Sequence, residues 1–354
     1  MSLDEARKEI DAIDRELVEL LRRRGAVSQK VGRIKSATGQ VVYDPAREAQ
    51  LLAKLTSGDL APLDADALLA IYRQSLAASR SLQTPLRVAY LGPQYTFSHA
   101  AALEYFGPAA ELGPAPSIEE AFTAVERNAA DYAIVPIENT IQGVEARTLD
   151  CLFESKLLIC AESYVPIHLH LVASCALADI ECIHSHPQPL GQCRLWLRAN
   201  LPNAELINES STAAAAQAIA DQPRHAAIGT AEAARAYGLQ LLASSIEDQT
   251  DNRTRFLVIG DHSAAPSGND KTSVVFTTVD QSGALYQALA PFRTYSINLT
   301  LIQSRPARGA VEGPYYFYVD FDGHAASVEV REALTALHEH CSFVKVLGSY
   351  PVSG

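Results

Sequence analysis

Arg24 and Lys35 lie eleven residues apart in a stretch whose apolar residues recur in alternating steps of three and four. At about 100° per residue the two cations fall within roughly 20° of each other on one helix face, about three turns apart. That spacing suits a compact dianion. An arginine inside an apolar seam is costly unless an anion or carboxylate meets it, or unless its head snorkels out to water. Arg7, seventeen residues before Arg24, points roughly 100° away and would serve another site or a neighbouring chain's site. Further along, four polar clusters stand at the ends of short apolar runs: Ser98-His99, Glu138-Asn139-Thr140, Ser210-Ser211-Thr212 and Asn252-Arg253-Thr254-Arg255. Each reads alone as a helix cap or a turn. Together they describe a surface of hydroxyls, amides and an arginine, suited to a small carboxylate better than to a metal.

The elements that must position these groups follow from the apolar pattern. Ile10, Ile13, Leu17, Leu20, Val27, Val31 and Ile34 form a heptad interrupted at Arg24, which predicts one helix of about 30 residues, on the order of 45–50 Å. Such a stripe cannot be buried within a compact monomeric segment of this size, so helix pairing between two chains is expected. A second helix opens at Asp44-Pro45 and carries Arg47 and Glu48. A third follows Pro62, with Ser79 on its apolar face and Gln83 one turn on. From Leu86 the pattern changes to short runs (LRVAYLG, YAIVPIE, LLICAE, IECIHSH, AAIGT, RFLVIG) alternating with helical stretches, which predicts an α/β region with parallel sheet. After HSAAPSGND, a linker by composition, the order strand, helix, strand, strand, helix, strand is that of the split ferredoxin-like unit.

Composition bounds the partners. The 354 residues carry a net charge of −12, against a nucleic-acid or anionic-membrane partner. The first 85 residues hold 13 Lys and Arg against 12 Asp and Glu, and all ten histidines follow residue 98, so a boundary is expected near Gln83-Thr84-Pro85. Six scattered cysteines without a CxxC pair suggest a reducing compartment, and no apolar run nears the roughly 20 residues of a membrane span, so a cytoplasmic location is expected. No GxGxxG follows the first strand and no GxSxG is present, which weighs against a dinucleotide fold and a serine hydrolase. Cys182, His184, His186 and Cys193 have a spacing that invites zinc, but SHPQPLG also reads as strand into helix and no neighbouring carboxylate offers an outer partner.

Over residues 1–84 the runs ARKEIDAID, LLRRRGAVSQKVGRIK, YDPAREAQLL and SRSLQ resemble the all-helical chorismate mutase domain. The resemblance implies that Arg7, Arg24, Lys35, Asp44, Arg47, Glu48, Ser79 and Gln83 contact chorismate, with Lys35 and Gln83 donating to the breaking ether and Arg7 crossing to a partner's site. Across 86–262, PIENTIQG, SHPQPLGQC, ESSTAAAA and DNRTRFLVIG resemble the prephenate dehydratase catalytic domain, with two lobes like a type II solute-binding protein. Thr254 would then be the catalytic group of the TRF triplet, with Ser98, Asn139, Thr140, Ser211, Thr212, Arg255 and Phe256 binding prephenate. Tyr95 departs from the glycine expected in the GPxGTFS-type loop, and QGVEART from the EGSVN-like residues usual after IENTI. Residues 271–350 resemble the ACT domain, which implies phenylalanine binding by Gly283, Ala284, Leu285, Asn298, Ser304 and Arg305, with Gln303 in place of the usual glutamate.

The domain order is that of the bifunctional chorismate mutase–prephenate dehydratase family, which implies domains at 1–85, 86–267 and 268–354, both activities, no metal or organic cofactor, feedback inhibition and at least a homodimer. Two other readings remain: a dehydratase alone, with the helices serving as a dimerisation arm, and a non-catalytic amino-acid sensor on a solute-binding fold.

Overall fold

The computed structural model describes residues 1–279, 281–306 and 315–353. Three helices come first. In α1 (Leu3–Thr38) Ser2 and Glu5 form a reciprocal capping box. Asp44 caps α2 (Pro45–Leu55) and Asp64 caps α3 (Ala65–Ser81), each accepting from a backbone N–H one turn in. A Cβ on Gly32 would lie 2.8 Å from the Gln83 backbone, so the crossing of α1 with the end of α3 requires glycine. The heptad is real and uncovered, with Ile10 57% and Ile34 62% exposed.

The α/β region contains two sheets. The first runs through β1 (Arg87–Leu91), α4 (Phe97–Phe106), β2 (Glu111–Ala115), α5 (Ile118–Glu126), β3 (Tyr132–Asn139), β4 (Gly143–Val144), α6 (Ala146–Glu154) and β5 (Leu158–Pro166). The second takes β6 (His170–Ala173), β7 (Cys182–Ser185), α7 (Pro187–Gln192), α8 (Arg194–Asn200), β8 (Glu205–Asn208), α9 (Thr212–Ala218), β9 (His225–Gly229), α10 (Ala231–Ala236) and β10 (Gln240–Ala243). The chain then returns to the first sheet as β11 (Arg253–Gly260), giving the order β2-β1-β3-β11-β5 beside β10-β6-β9-β7-β8. Alternation predicts parallel sheet, whereas both sheets are mixed. β11 re-enters from the second lobe and runs antiparallel to β3 and β5.

The C-terminal unit consists of β12 (Asp270–Thr278), α11 (Ala284–Thr294), β13 (Leu299–Pro306), β14 (Tyr315–Asp322), α12 (Val328–His340) and β15 (Cys341–Pro351), in an antiparallel sheet ordered β13-β14-β12-β15. It is not held off by the linker that the composition suggests. Val275, Tyr318, Leu347 and Tyr350 share one core with Leu257, Ile259 and Ile159 of the first sheet. Burial of side chains this size contributes about 1.5–3 kcal/mol each. At Gly348 a Cβ would lie 2.3 Å from the Ile159 carbonyl oxygen, so β15 meets β5 backbone to backbone. The presumed linker is itself tied down, with the Ala264 carbonyl oxygen 3.0 Å from the His324 ring and the Pro266 carbonyl accepting from Gln50 of α2.

Candidate active sites

The helical segment gathers polar groups where α1 crosses α3. Arg24 donates to the Ser79 hydroxyl and, at 3.0 Å, to the Ser75 carbonyl, which turns its guanidinium toward α3 and away from the uncovered stripe. Gln83 donates to the Ser79 carbonyl at 3.3 Å, while its own amide oxygen is buried without a partner. Lys35, one turn beyond Gly32, donates to the Val42 carbonyl at 2.8 Å. Asp44 is used as the cap of α2, accepting from the Arg47 N–H at 3.0 Å, and leaves the Arg47 side chain exposed. Arg7 stands about 25 Å along α1 from Arg24 at 1.5 Å per residue, beside Asp4, and does not reach this site within its own chain.

Arg80 is a group that the reading of SRSLQ passes over. It donates to Glu48 at 2.5 Å and to the Tyr105 carbonyl at 2.7 Å, with its guanidinium over the Tyr43 ring. Burial would lower its pKa, but Glu48 and Tyr43 outweigh that and raise it. Glu48 is therefore oriented from the α4 side of the molecule, since Tyr43 and Tyr105 both pack with Phe106 of α4, and Tyr43 also meets Tyr132.

The second site lies where the two sheets meet. Thr254 pairs directly with Asn139 across β11 and β3, and the Asn139 amide donates to Thr254 Oγ1 at 3.0 Å, to Asn252 Oδ1 at 2.8 Å and to the Arg253 carbonyl at 3.3 Å. The Asn139 oxygen in turn accepts from the N–H groups of Ile141 and Gln142, which fixes which end of the amide faces Thr254. A hydroxyl has one proton and two lone pairs, so Thr254, having accepted, keeps its proton for another acceptor. Thr140 closes the turn through the Asp251 carbonyl and the Arg253 N–H. Asn252, buried, donates to Gln192 of α7 at 3.3 Å and so joins the second lobe to the set. Gln192 keeps a buried amide nitrogen without a partner. Asn252 lies in DNRTRFLVIG and Gln192 in SHPQPLGQC, where their amide side chains are the signal in the sequence.

Ser98 and Thr212 are buried at the first turns of α4 and α9, and Ser211 caps α9 through the Ala214 N–H. Among the described residues these three are not hydrogen-bonded to Thr254. Tyr95 occupies the left-handed region at φ 67°, which accounts for the expected glycine. Its carbonyl accepts from Thr230, and its ring meets His99 of the first lobe and Tyr237 of the second. Tyr95 thus connects the lobes.

Two expected prephenate contacts are corrected. Phe256 is 1% exposed, packed in the core with Tyr43, Phe106 and Tyr132. Arg255, 4% exposed, points to the opposite sheet face from Thr254 and is engaged there by Glu162, Asp320 and Tyr350. Strand alternation sends neighbours to opposite faces, so one of the two had to leave the site.

In the C-terminal unit Gly283 starts α11 at φ 85°, so its glycine serves conformation. Ala284 is buried, Leu285 half-buried and Ser304 exposed. Asn298 donates to Asp322 at 3.2 Å, Gln303 to the Ser304 carbonyl at 3.1 Å, and Arg305 to Asp150 of α6 at 3.1 Å. Arg305 therefore ties this unit to the first sheet.

All six cysteines are free, and among the described residues no three His, Cys, Asp or Glu side chains gather as a metal site. His184 sits 2.9 Å from Glu209 and 2.8 Å from His225, so the carboxylate that the sequence did not suggest is present. No described helix is long and apolar enough to cross a membrane.

Comparison with known proteins shows what the chain is similar to. Residues 6–84 match the family "Chorismate mutase type II" and residues 88–264 match "Prephenate dehydratase". A bifunctional chorismate mutase/prephenate dehydratase of Aquifex aeolicus is 43% identical over 99% of this chain and 98% of its own length. One of Pseudomonas aeruginosa is 38% identical over 98% and 96%. The crystal structure of an Arthrobacter aurescens prephenate dehydratase in complex with L-Phe superposes with TM-score 0.70 at 38% identity, covering 75% of this chain and 90% of that one. With helical and α/β sites in one chain and such relatives along its whole length, this protein belongs to the bifunctional chorismate mutase/prephenate dehydratase family.

Proposed function

We propose that the chain rearranges chorismate to prephenate at the helical site and converts prephenate to phenylpyruvate at the lobe junction, under feedback control by phenylalanine. The domains are taken as 1–85, 86–267 and 268–354, the last an ACT domain of ferredoxin-like topology and the middle one two solute-binding-like lobes. The first step is a unimolecular [3,3] shift that needs a compressed conformer and donors at the breaking ether. Arg24, Arg47 and Arg7 of the partner subunit clamp the carboxylates, Lys35 and Gln83 serve the ether oxygen, and Glu48 accepts from the ring hydroxyl. Support for a second copy comes from the uncovered apolar stripe of α1 and from the distance of Arg7.

In the second step the ring C–CO2 bond breaks, its electron pair completes the aromatic ring, and the C–OH bond breaks with one proton taken up to release water. The observation that carries this reading is the Asn139–Thr254 hydrogen bond, which uses a threonine lone pair and leaves its proton available for the departing hydroxyl. Asn139, Thr140, Ser98, Ser211 and Thr212 supply neutral donors for the substrate. Phenylalanine binds the C-terminal unit around Gly283, Ala284, Leu285, Asn298, Ser304 and Arg305, as the L-Phe complex of the Arthrobacter relative supports.

Feeding chorismate and following prephenate and phenylpyruvate over time, with and without phenylalanine, tests all three parts. Prephenate that rises and then falls as phenylpyruvate accumulates is expected, with the second phase slowed by phenylalanine. Accumulation that stops at prephenate refutes the dehydratase assignment.

A further inference from the structure

Arg255 is the neighbour of Thr254 on β11, yet every nitrogen of its guanidinium is committed elsewhere. Nε donates to Glu162 at 2.7 Å, Nη1 to Asp320 at 2.6 Å and Nη2 to the Tyr350 hydroxyl at 2.9 Å. Glu162 belongs to β5, but Asp320 is on β14 and Tyr350 on β15. Lys271 of β12 closes the other side of Glu162 at 2.9 and 3.0 Å, and Ser273 of β12 donates to Asp320 at 2.6 Å and contacts Tyr350 at 2.7 Å. Two strands of the C-terminal sheet thus contact one side chain of the strand that carries Thr254, and a third, β12, braces its partners. Two cations meet two carboxylates, all of them buried.

Such a network is not the cheapest way to join two sheets. A buried ion pair contributes little net stability compared with apolar residues of the same volume, whereas its directional bonds fix relative position. Here the position fixed is that of β11. A register irregularity separates Arg255 from Phe256 in the pairing of β11 with β3, so on that side the Thr254 end departs from the ladder behind it, while its pairing with β5 continues in register. Asn139 and Thr140 hold that end from the substrate side, and the guanidinium holds it from the opposite sheet face. A shift of β12, β14 or β15 relative to β5 would move Arg255, and with it the 3.0 Å contact between Thr254 and Asn139.

We propose that Arg255 is a positioning residue for Thr254, through which the C-terminal unit sets the dehydration rate and transmits the state of its effector site. The proposal rests on the dehydratase reading of Thr254. It assigns to the arginine a role in kcat rather than in binding prephenate.

The test uses the full-length chain with Asp320→Asn, which keeps the shape and removes the charge, and Tyr350→Phe, which removes one oxygen. Dehydratase kcat and KM, the phenylalanine concentration for half inhibition, and the chorismate mutase rate are measured on the same preparations. For Asp320→Asn we expect kcat to fall about tenfold with KM within twofold, half inhibition to shift at least threefold, and mutase rate to hold. Tyr350→Phe should move the same quantities less. If Asp320→Asn misfolds, its near-UV circular dichroism and thermal midpoint depart from wild type, and Tyr350→Phe alone decides. Variants with kcat and phenylalanine response within twofold of wild type overturn the proposal, as does a loss seen wholly in KM. A wild-type chain without dehydratase turnover sinks the underlying reading and this proposal together, whereas active wild type with unaffected variants sinks only this one.

Discussion

The two sites solve opposite electrostatic problems. On the helices, charged side chains stand on long exposed elements, and Arg7, beside Asp4, lies far along α1 from Arg24. At the lobe junction, amides and hydroxyls are locked to one another by short hydrogen bonds on strand ends within a packed body. A pericyclic shift needs the substrate folded and its charge matched, and on the proposed reading cations on a balanced bundle do this. Loss of a hydroxyl needs one proton at one place, and on the proposed reading the second site fixes a neutral donor. Preorganisation is greatest where the chemistry is local.

The contrast can be broken at its strongest point first. Arg24→Ala should lower the mutase rate on the order of 10³-fold and leave dehydratase turnover of added prephenate within twofold; an unchanged mutase rate would reduce the helices to a dimerisation arm. Thr254→Val should lower dehydratase kcat about 10²-fold with the mutase unaffected, read by phenylpyruvate absorbance. Leu17→Glu, on the uncovered stripe, should shift sedimentation toward monomer and lower mutase rate about tenfold at low protein concentration while the dehydratase holds. Gly348→Ala should cost about 1–3 kcal/mol by forcing β15 off β5, seen as a lower denaturant midpoint. The smallest effect is with pH. Burial lowers the His99 and His170 pKa values below the ordinary 6.5, opposed by Glu232 and Glu247 respectively. The folded state then binds fewer protons than the unfolded, so this stability is present above 6.5 and is lost as pH falls through it. His99→Gln should flatten the fall in thermal midpoint between about pH 7.5 and 5.5, and an unchanged slope would remove His99 from that account.

The sequence discloses what depends on spacing along one element. Arg24, Ser79 and Gln83 meet because helical periodicity already put them on facing sides, and the capping residues Asp44 and Thr38-Gly39 marked real boundaries. What depends on the return of the chain from far away was hidden. The antiparallel direction of β11 lies in no local pattern, and the linker composition around Pro266 gave no hint of a shared core. Arg255 was misread for a different reason. The twofold alternation of a strand already separated it from Thr254, but a motif read as a unit obscured that geometry. Arg80 was passed over because its partner Glu48 was assigned to substrate alone.

The backbone contact between Gly348 and Ile159 also bears on how the protein is made. β5 is synthesised well before residues 341–351, so the core that β15 covers stays open to water and to chaperones while the intervening chain emerges. At about 5–20 residues per second that interval is on the order of 10–40 s. During it the helical segment can fold and seek a second copy, whereas the dehydratase sheet waits for its cover. Two nascent chains can therefore be joined through their first helices before either has a finished second site.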